Sequence, residues 1–153
     1  MKKFLLIILL FSFSKSYSQT ATNSGNPLRL HADSLKWVDA KPPMPPGAKI
    51  ALMEGNPKEA GHFTFRVKLP AHYTIPPHRH PVDERTTIIS GTMYVGLGTV
   101  VDTSKATRLA AGGFYLNPAG GVHYACTGSE ETIVQISSNG PWGSLPPEEK
   151  FEH

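Results

Sequence analysis

Much of what a secreted or nucleic-acid-binding chain of this size could carry is missing here. There is a single cysteine, Cys126, in 153 residues, so no internal disulfide can form. There is no Lys/Arg cluster. The formal charge of +3 includes Lys2, Lys3 and Lys15, in a stretch with no acidic residue. Past residue 18 the chain has 12 basic and 12 acidic residues, a poor match to a phosphate backbone, so nucleic acid is not an expected partner. No segment shows a long capped helical period, and there is no internal repeat or low-complexity domain. The apolar run Phe4–Phe13 is too short to span a bilayer comfortably.

That run has another reading. Lys2 and Lys3 precede it, and Ser16-Tyr17-Ser18 offers small residues at −3 and −1 of a cut before Gln19. Residues 1–18 therefore read as a secretory signal peptide, with a secreted or periplasmic product. No cysteine stands near the cut to carry a lipid, so no membrane anchor is expected after cleavage. Residues 19–34, polar and rich in Ser, Thr and Asn, read as a flexible leader. The barrel domain is expected over 35–145, with a charged tail at 146–153 that is loose or forms a short helix.

Within 35–145 the pattern is β throughout. Phe63, Phe65, Val67 and Leu69 alternate with Thr64, Arg66 and Lys68, the period-two pattern of a half-buried strand. Further strands are expected at Leu35–Val38, Ala48–Met53, Thr86–Ile89, Thr92–Leu97, Thr107–Ala111, Gly113–Leu116, Val122–Cys126 and Thr132–Ser137. Prolines and glycines punctuate them, and Ser90-Gly91 reads as a tight hairpin. This is an all-β barrel or sandwich in one domain. Open strand edges favour a homodimer.

The chemistry concentrates in a few residues. His78 and His80 are two apart, so on a strand both point to one face and can converge on one ion. Glu84 would lie roughly 13 Å further along a straight strand. Pro81-Val82-Asp83 is a sensible place for a bend that returns its carboxylate to the histidines. Two histidines and a carboxylate leave open positions on an ion.

The strings His78-x-His80-x-x-x-Glu84, six residues, Gly91 and Gly112, five residues, Pro118-Ala119-Gly120, two residues, His123 resemble the two motifs of the cupin superfamily. The resemblance implies a cupin-type jelly-roll β-barrel, RmlC-like in form. It assigns His78, His80, Glu84 and His123 as ligands of one divalent metal ion: Fe, Mn, Ni, Cu, Zn or Co. His72 stands where the first motif often has glycine, and Thr127 where the second often ends in asparagine; neither is a ligand position.

Three functions compete on these residues. The first is a dioxygenase-like metal enzyme acting on a small organic molecule, with Glu84 as the candidate base. The second is a non-catalytic small-molecule binding or sensing module with a structural metal. The third is a metal-free sugar isomerase or epimerase of similar fold. His31, His62, His72 and His153 are expected to be structural or solvent-facing. Asp83 is expected to be an outward turn residue, and Arg79 to face away from the site in a surface salt link. Tyr124 and Cys126 have the parity opposite to His123, which makes Cys126 a buried apolar residue rather than a nucleophile. Thr86, Ile88, Met93, Val95, Phe114 and Leu116 are candidates to line the pocket or the core.

Overall fold

A computed structural model describes residues 27–148. The proposed signal peptide, the first half of the proposed leader and the last five residues, His153 included, lie outside the described residues. Ten strands run in chain order: β1 (Val38–Asp39), β2 (Lys49–Glu54), β3 (Gly61–Leu69), β4 (Thr74–His78), β5 (Glu84–Ser90), β6 (Thr92–Leu97), β7 (Thr107–Ala110), β8 (Phe114–Asn117), β9 (His123–Thr127) and β10 (Thr132–Gly140). Among the described residues a 3₁₀ turn, Ala32–Ser34, precedes them. No helix among the described residues is long and apolar enough to cross a membrane.

The strands form two antiparallel sheets. One has the order β1-β2-β3-β10-β5-β8 and the other β4-β9-β6-β7. Long-range pairing dominates: β3 meets β10 over the register Leu69↔Thr132 to Gly61↔Gly140. The inward faces meet as one apolar core. Phe63, Phe65, Val67 and Leu69 enter it from β3, as their alternation requires, and meet Val134 and Ile136 of β10 and Met93 and Val95 of β6. The all-β jelly-roll expectation holds.

Two local expectations fail for a topological reason. Ser90-Gly91 does not close a hairpin: β5 pairs with β10 and β8, whereas β6 pairs with β9 and β7. The turn carries the chain from one sheet to the other. Gly91 still needs its φ of +78°, and a Cβ there would lie 2.5 Å from the Glu131 carbonyl oxygen. On β8, Phe114 and Leu116 are exposed, while Tyr115 and Asn117 turn inward. The register Glu84↔Asn117 and Thr86↔Tyr115 fixes that parity, and only the partner strand sets it. Thr86, Ile88, Met93 and Val95 are buried as expected.

The chain beyond β10 returns across the mouth of the second sheet. Leu145 bridges to Arg79 in both backbone directions. Arg79 is consequently buried rather than at the surface, with Nε donating to the Pro146 carbonyl. The alternation was right about its direction; the strap 141–146, invisible to local pattern, covers that face.

Candidate metal centre

Four side chains from three strands and one connecting loop meet inside the barrel. β4 delivers His78 directly opposite His123 of β9, with a register irregularity at Pro76-Pro77 just before it. His80 follows in the segment that leaves β4. The chain then bends through Pro81-Val82 and enters β5 at Glu84, as the Pro-rich spacing requires. One ring nitrogen from each of His78, His80 and His123 lies within 4.8 Å of the others. Glu84 Oε2 is 3.1 Å from His123 Nε2 and 3.4 Å from His80 Nε2. Two ligands at 2.0–2.1 Å from a common ion stand about 3.0–3.4 Å apart. The structure thus brings all four expected residues together.

The outer hydrogen bonds decide which atoms face inward. His78 Nδ1 donates to the Pro76 carbonyl at 2.8 Å, His80 Nδ1 to Gly143 at 2.8 Å, and His123 Nδ1 to Gly121 at 3.0 Å. A carbonyl can only accept, so each Nδ1 carries the proton. Each neutral ring then presents an Nε2 lone pair. Glu84 is fixed as firmly: Thr86 Oγ1 donates to Oε1 at 2.8 Å and Asn117 Nδ2 to Oε2 at 2.9 Å. Lone pairs of His80, His123 and Glu84 therefore face one another at hydrogen-bonding distance, an arrangement that calls for a cation between them.

In the absence of an ion, a proton shared with Nε2 of His123 or His80 takes the cation's place. Burial alone would raise the Glu84 carboxyl, but the hydrogen bonds so made with His123 and His80 outweigh it and hold the group well below the usual carboxylate range. His78 is pulled down to about 4, first by burial and then by repulsion from His123. It is thus neutral and ligand-ready at pH 7.

Residues without a motif complete the site. The Trp142 ring stacks on His80 with centroids 3.9 Å apart. Tyr115 reaches the same cavity; burial first, and the Glu84 charge second, push its phenol well above its ordinary value. No local signal marks Trp142 or Gly143. Asn117 stands just before Pro118 of the second motif, but its contact with Glu84 follows only from the strand register. Among the other histidines, His31, His62 and His72 are exposed, His72 with a φ of +54°. Asp83 accepts from the Ala119 amide and the Arg85 guanidinium at the turn, as a turn residue should. Tyr124 points to the far side of its sheet, where Asp102 holds its hydroxyl, and Cys126 is buried outside the histidine cluster.

Above the four residues lies a cavity of ≈ 310 Å³. Its walls come from β3, β10, β6 and the strap, and are mainly apolar.

Solved structures share this fold. The polyketide cyclase RemF from Streptomyces resistomycificus aligns with a TM-score of 0.64 at 17% identity, covering 76% of this chain and 82% of its own. KdgF from Halomonas sp. aligns at 0.57 and 20% identity, covering 71% and 91%. The DMSP lyase DddQ from Ruegeria pomeroyi DSS-3 aligns at 0.59 and 18% identity, covering 77% and 64%. No curated protein matches the chain. Residues 26–143 match the family described as the ChrR cupin-like domain. With that match over most of its length, two antiparallel sheets of jelly-roll form and the histidines gathered inside them, the chain belongs to the ChrR cupin-like domain family of the cupin superfamily.

Proposed function

We propose that this cupin is a metal-dependent enzyme that holds one divalent ion through His78, His80, Glu84 and His123 and acts on a small organic molecule. The observation that carries this is the opposed set of lone pairs, each fixed from behind: three Nδ1–H groups on backbone carbonyls and one carboxylate on Thr86 and Asn117. A bound divalent ion would supply Lewis-acid polarisation of a substrate oxygen and, if redox-active, oxygen chemistry. The protein would orient the substrate in the apolar cavity and exclude water from it. The similar folds named a polyketide cyclase and a DMSP lyase support a small-molecule substrate without choosing the reaction.

Glu84 is a weaker candidate base than its chemistry alone suggests. Thr86 and Asn117 each donate to one of its oxygens, so removing a substrate proton would require breaking bonds that fix it as a ligand. This keeps the second reading, a binding or sensing module, in play. Export through residues 1–18 and a homodimer remain part of the proposal. N-terminal sequencing of exported protein tests the first, and light scattering the second.

Elemental analysis of the protein beside a His78→Ala/His80→Ala variant tests the metal. Near-stoichiometric metal in the parent, lost in the variant, is expected. No uptake by the parent, even after reconstitution with each candidate ion, refutes the site. With metal established, turnover of a substrate panel that stops in His80→Ala supports the enzyme; tight binding without product supports the sensing module.

A further inference from the structure

The walls of the cavity narrow what it can hold, and this inference rests on the metal reading above. Phe65 and Val67 of β3, Met93 of β6, Val134 and Ile136 of β10 and Trp142 of the strap line it. Lys41 is the one Lys or Arg among the described lining residues, and it is exposed, at the solvent end. Among the described residues, no guanidinium or ammonium therefore waits in the interior for a phosphate or a second carboxylate. Besides the four metal-site residues, the hydroxyls lining the space are those of Tyr115 and Ser144. A polyhydroxylated sugar buried here would leave several hydroxyls without partners, each at a substantial cost.

Size adds a second limit. An apolar cavity of about 150 Å³ accepts one benzene ring. The ≈ 310 Å³ here corresponds to about two rings.

We infer that the ligand is a mainly apolar molecule of about one to two rings, carrying its oxygen donors, and any negative charge, at one end only. The donors would face the four metal-site residues at the cavity floor. The rings would lie between the β3 and β10 side chains on one side and Met93 on the other, with Trp142 as the wall beside His80. Sugars, phosphate esters and dicarboxylates are disfavoured by the same walls.

Two probes share an oxygen donor pair and differ in body. Kojic acid carries a hydroxymethyl group on its hydroxypyranone ring; 2-phenyl-3-hydroxy-4-pyranone carries a phenyl ring. Calorimetric titration of each into the zinc-loaded full chain is the test. Burying the phenyl ring should tighten binding roughly ten- to a hundredfold over kojic acid. Val134→Thr, which keeps the wall's shape and adds a hydroxyl, should narrow that ratio at least threefold. Equal affinity, or tighter binding of kojic acid, overturns the inference whatever the variant does. If the chain takes up no zinc, the metal reading is what fails. The same pair titrated into the metal-free chain then decides this one: tighter binding of the phenyl compound supports an apolar ligand, and no preference overturns it.

Discussion

Trp142 lies almost flat against His80, the two rings 3.9 Å apart at their centroids and 18° from parallel, while the next residue, Gly143, accepts the proton of His80 Nδ1. One residue pair of the strap thus fixes both the plane and the tautomer of a metal-site imidazole. Removing the stack should loosen the ligand without deleting it. Trp142→Ala is expected to weaken metal affinity about tenfold, within the range found when outer partners of metal ligands are lost. Trp142→Phe should retain most of it. A competition titration with a chromophoric chelator measures both. Copper(II) added to the parent should quench tryptophan emission, and most of that quenching should disappear in Trp142→Phe, leaving only the contribution of Trp37.

Glu84 makes a sharper case. Its two oxygens accept from Thr86 and Asn117, so a Gln side chain would have to turn an NH₂ group towards one of these donors or towards the ion. Glu84→Gln is nearly isosteric yet should lower metal occupancy by a factor of ten to a hundred. Thr86→Val and Asn117→Leu should give smaller losses. Metal content by elemental analysis after gel filtration separates the three. Full occupancy in Glu84→Gln would remove the carboxylate from the ligand set and leave the three histidines alone.

The difference between these residues is also the difference between what the sequence displays and what it conceals. His78 and His80 are legible because strand parity is local: two residues apart means one face. Glu84 is legible through the spacing of the first motif, with Pro81-Val82-Asp83 a sensible place for the bend it needs, and His123 through the spacing of the second. Tyr115 is not legible. It neighbours two apolar residues, and alternation alone allows either Phe114 and Leu116 or Tyr115 and Asn117 to turn inward. The register against β5 decides, and that is a tertiary fact. Trp142 is concealed for the same reason: it follows the last strand, in a segment with no pattern, and gains its role only by returning over β4. Arg79 is the clearest case, its direction correct from parity and its burial decided by that strap.

Acid should weaken the metal-free chain through the same groups. His78 titrates near 4 in the folded protein, against an ordinary value of 6.5 that the unfolded chain retains. Between those values the unfolded state binds more protons, so stability is complete above about pH 6.5 and falls as the pH drops towards 4. The loss from this group amounts to about 3 kcal/mol. Glu84, also depressed on folding, adds a loss in the same direction at lower pH as it takes up its proton. Urea unfolding of the metal-free chain from pH 7.5 to 4 measures the slope, which should flatten in His78→Phe. A midpoint independent of pH over that range would mean His78 is not held neutral.

Gly96 and Tyr124 set a test of packing beside the site rather than in it. A Cβ on Gly96 would fall 2.0–2.6 Å from the ring and hydroxyl of Tyr124. The ring cannot swing clear cheaply, because its hydroxyl donates to the Asp102 carbonyl at 2.7 Å and accepts from the Asp102 amide at 3.1 Å. Gly96→Ala should therefore cost about 2–3 kcal/mol, through a clash and a displaced side chain next to His123. Gly98→Ala, where a Cβ meets nothing within 4 Å but φ is +95°, carries backbone strain without that clash and serves as the comparison. Tyr124→Ala removes the clashing ring, so the double variant Gly96→Ala/Tyr124→Ala should be less destabilised than the two single changes summed, by 1 kcal/mol or more. Chemical denaturation of the four proteins measures the coupling. Strict additivity would place Tyr124 elsewhere than against Gly96.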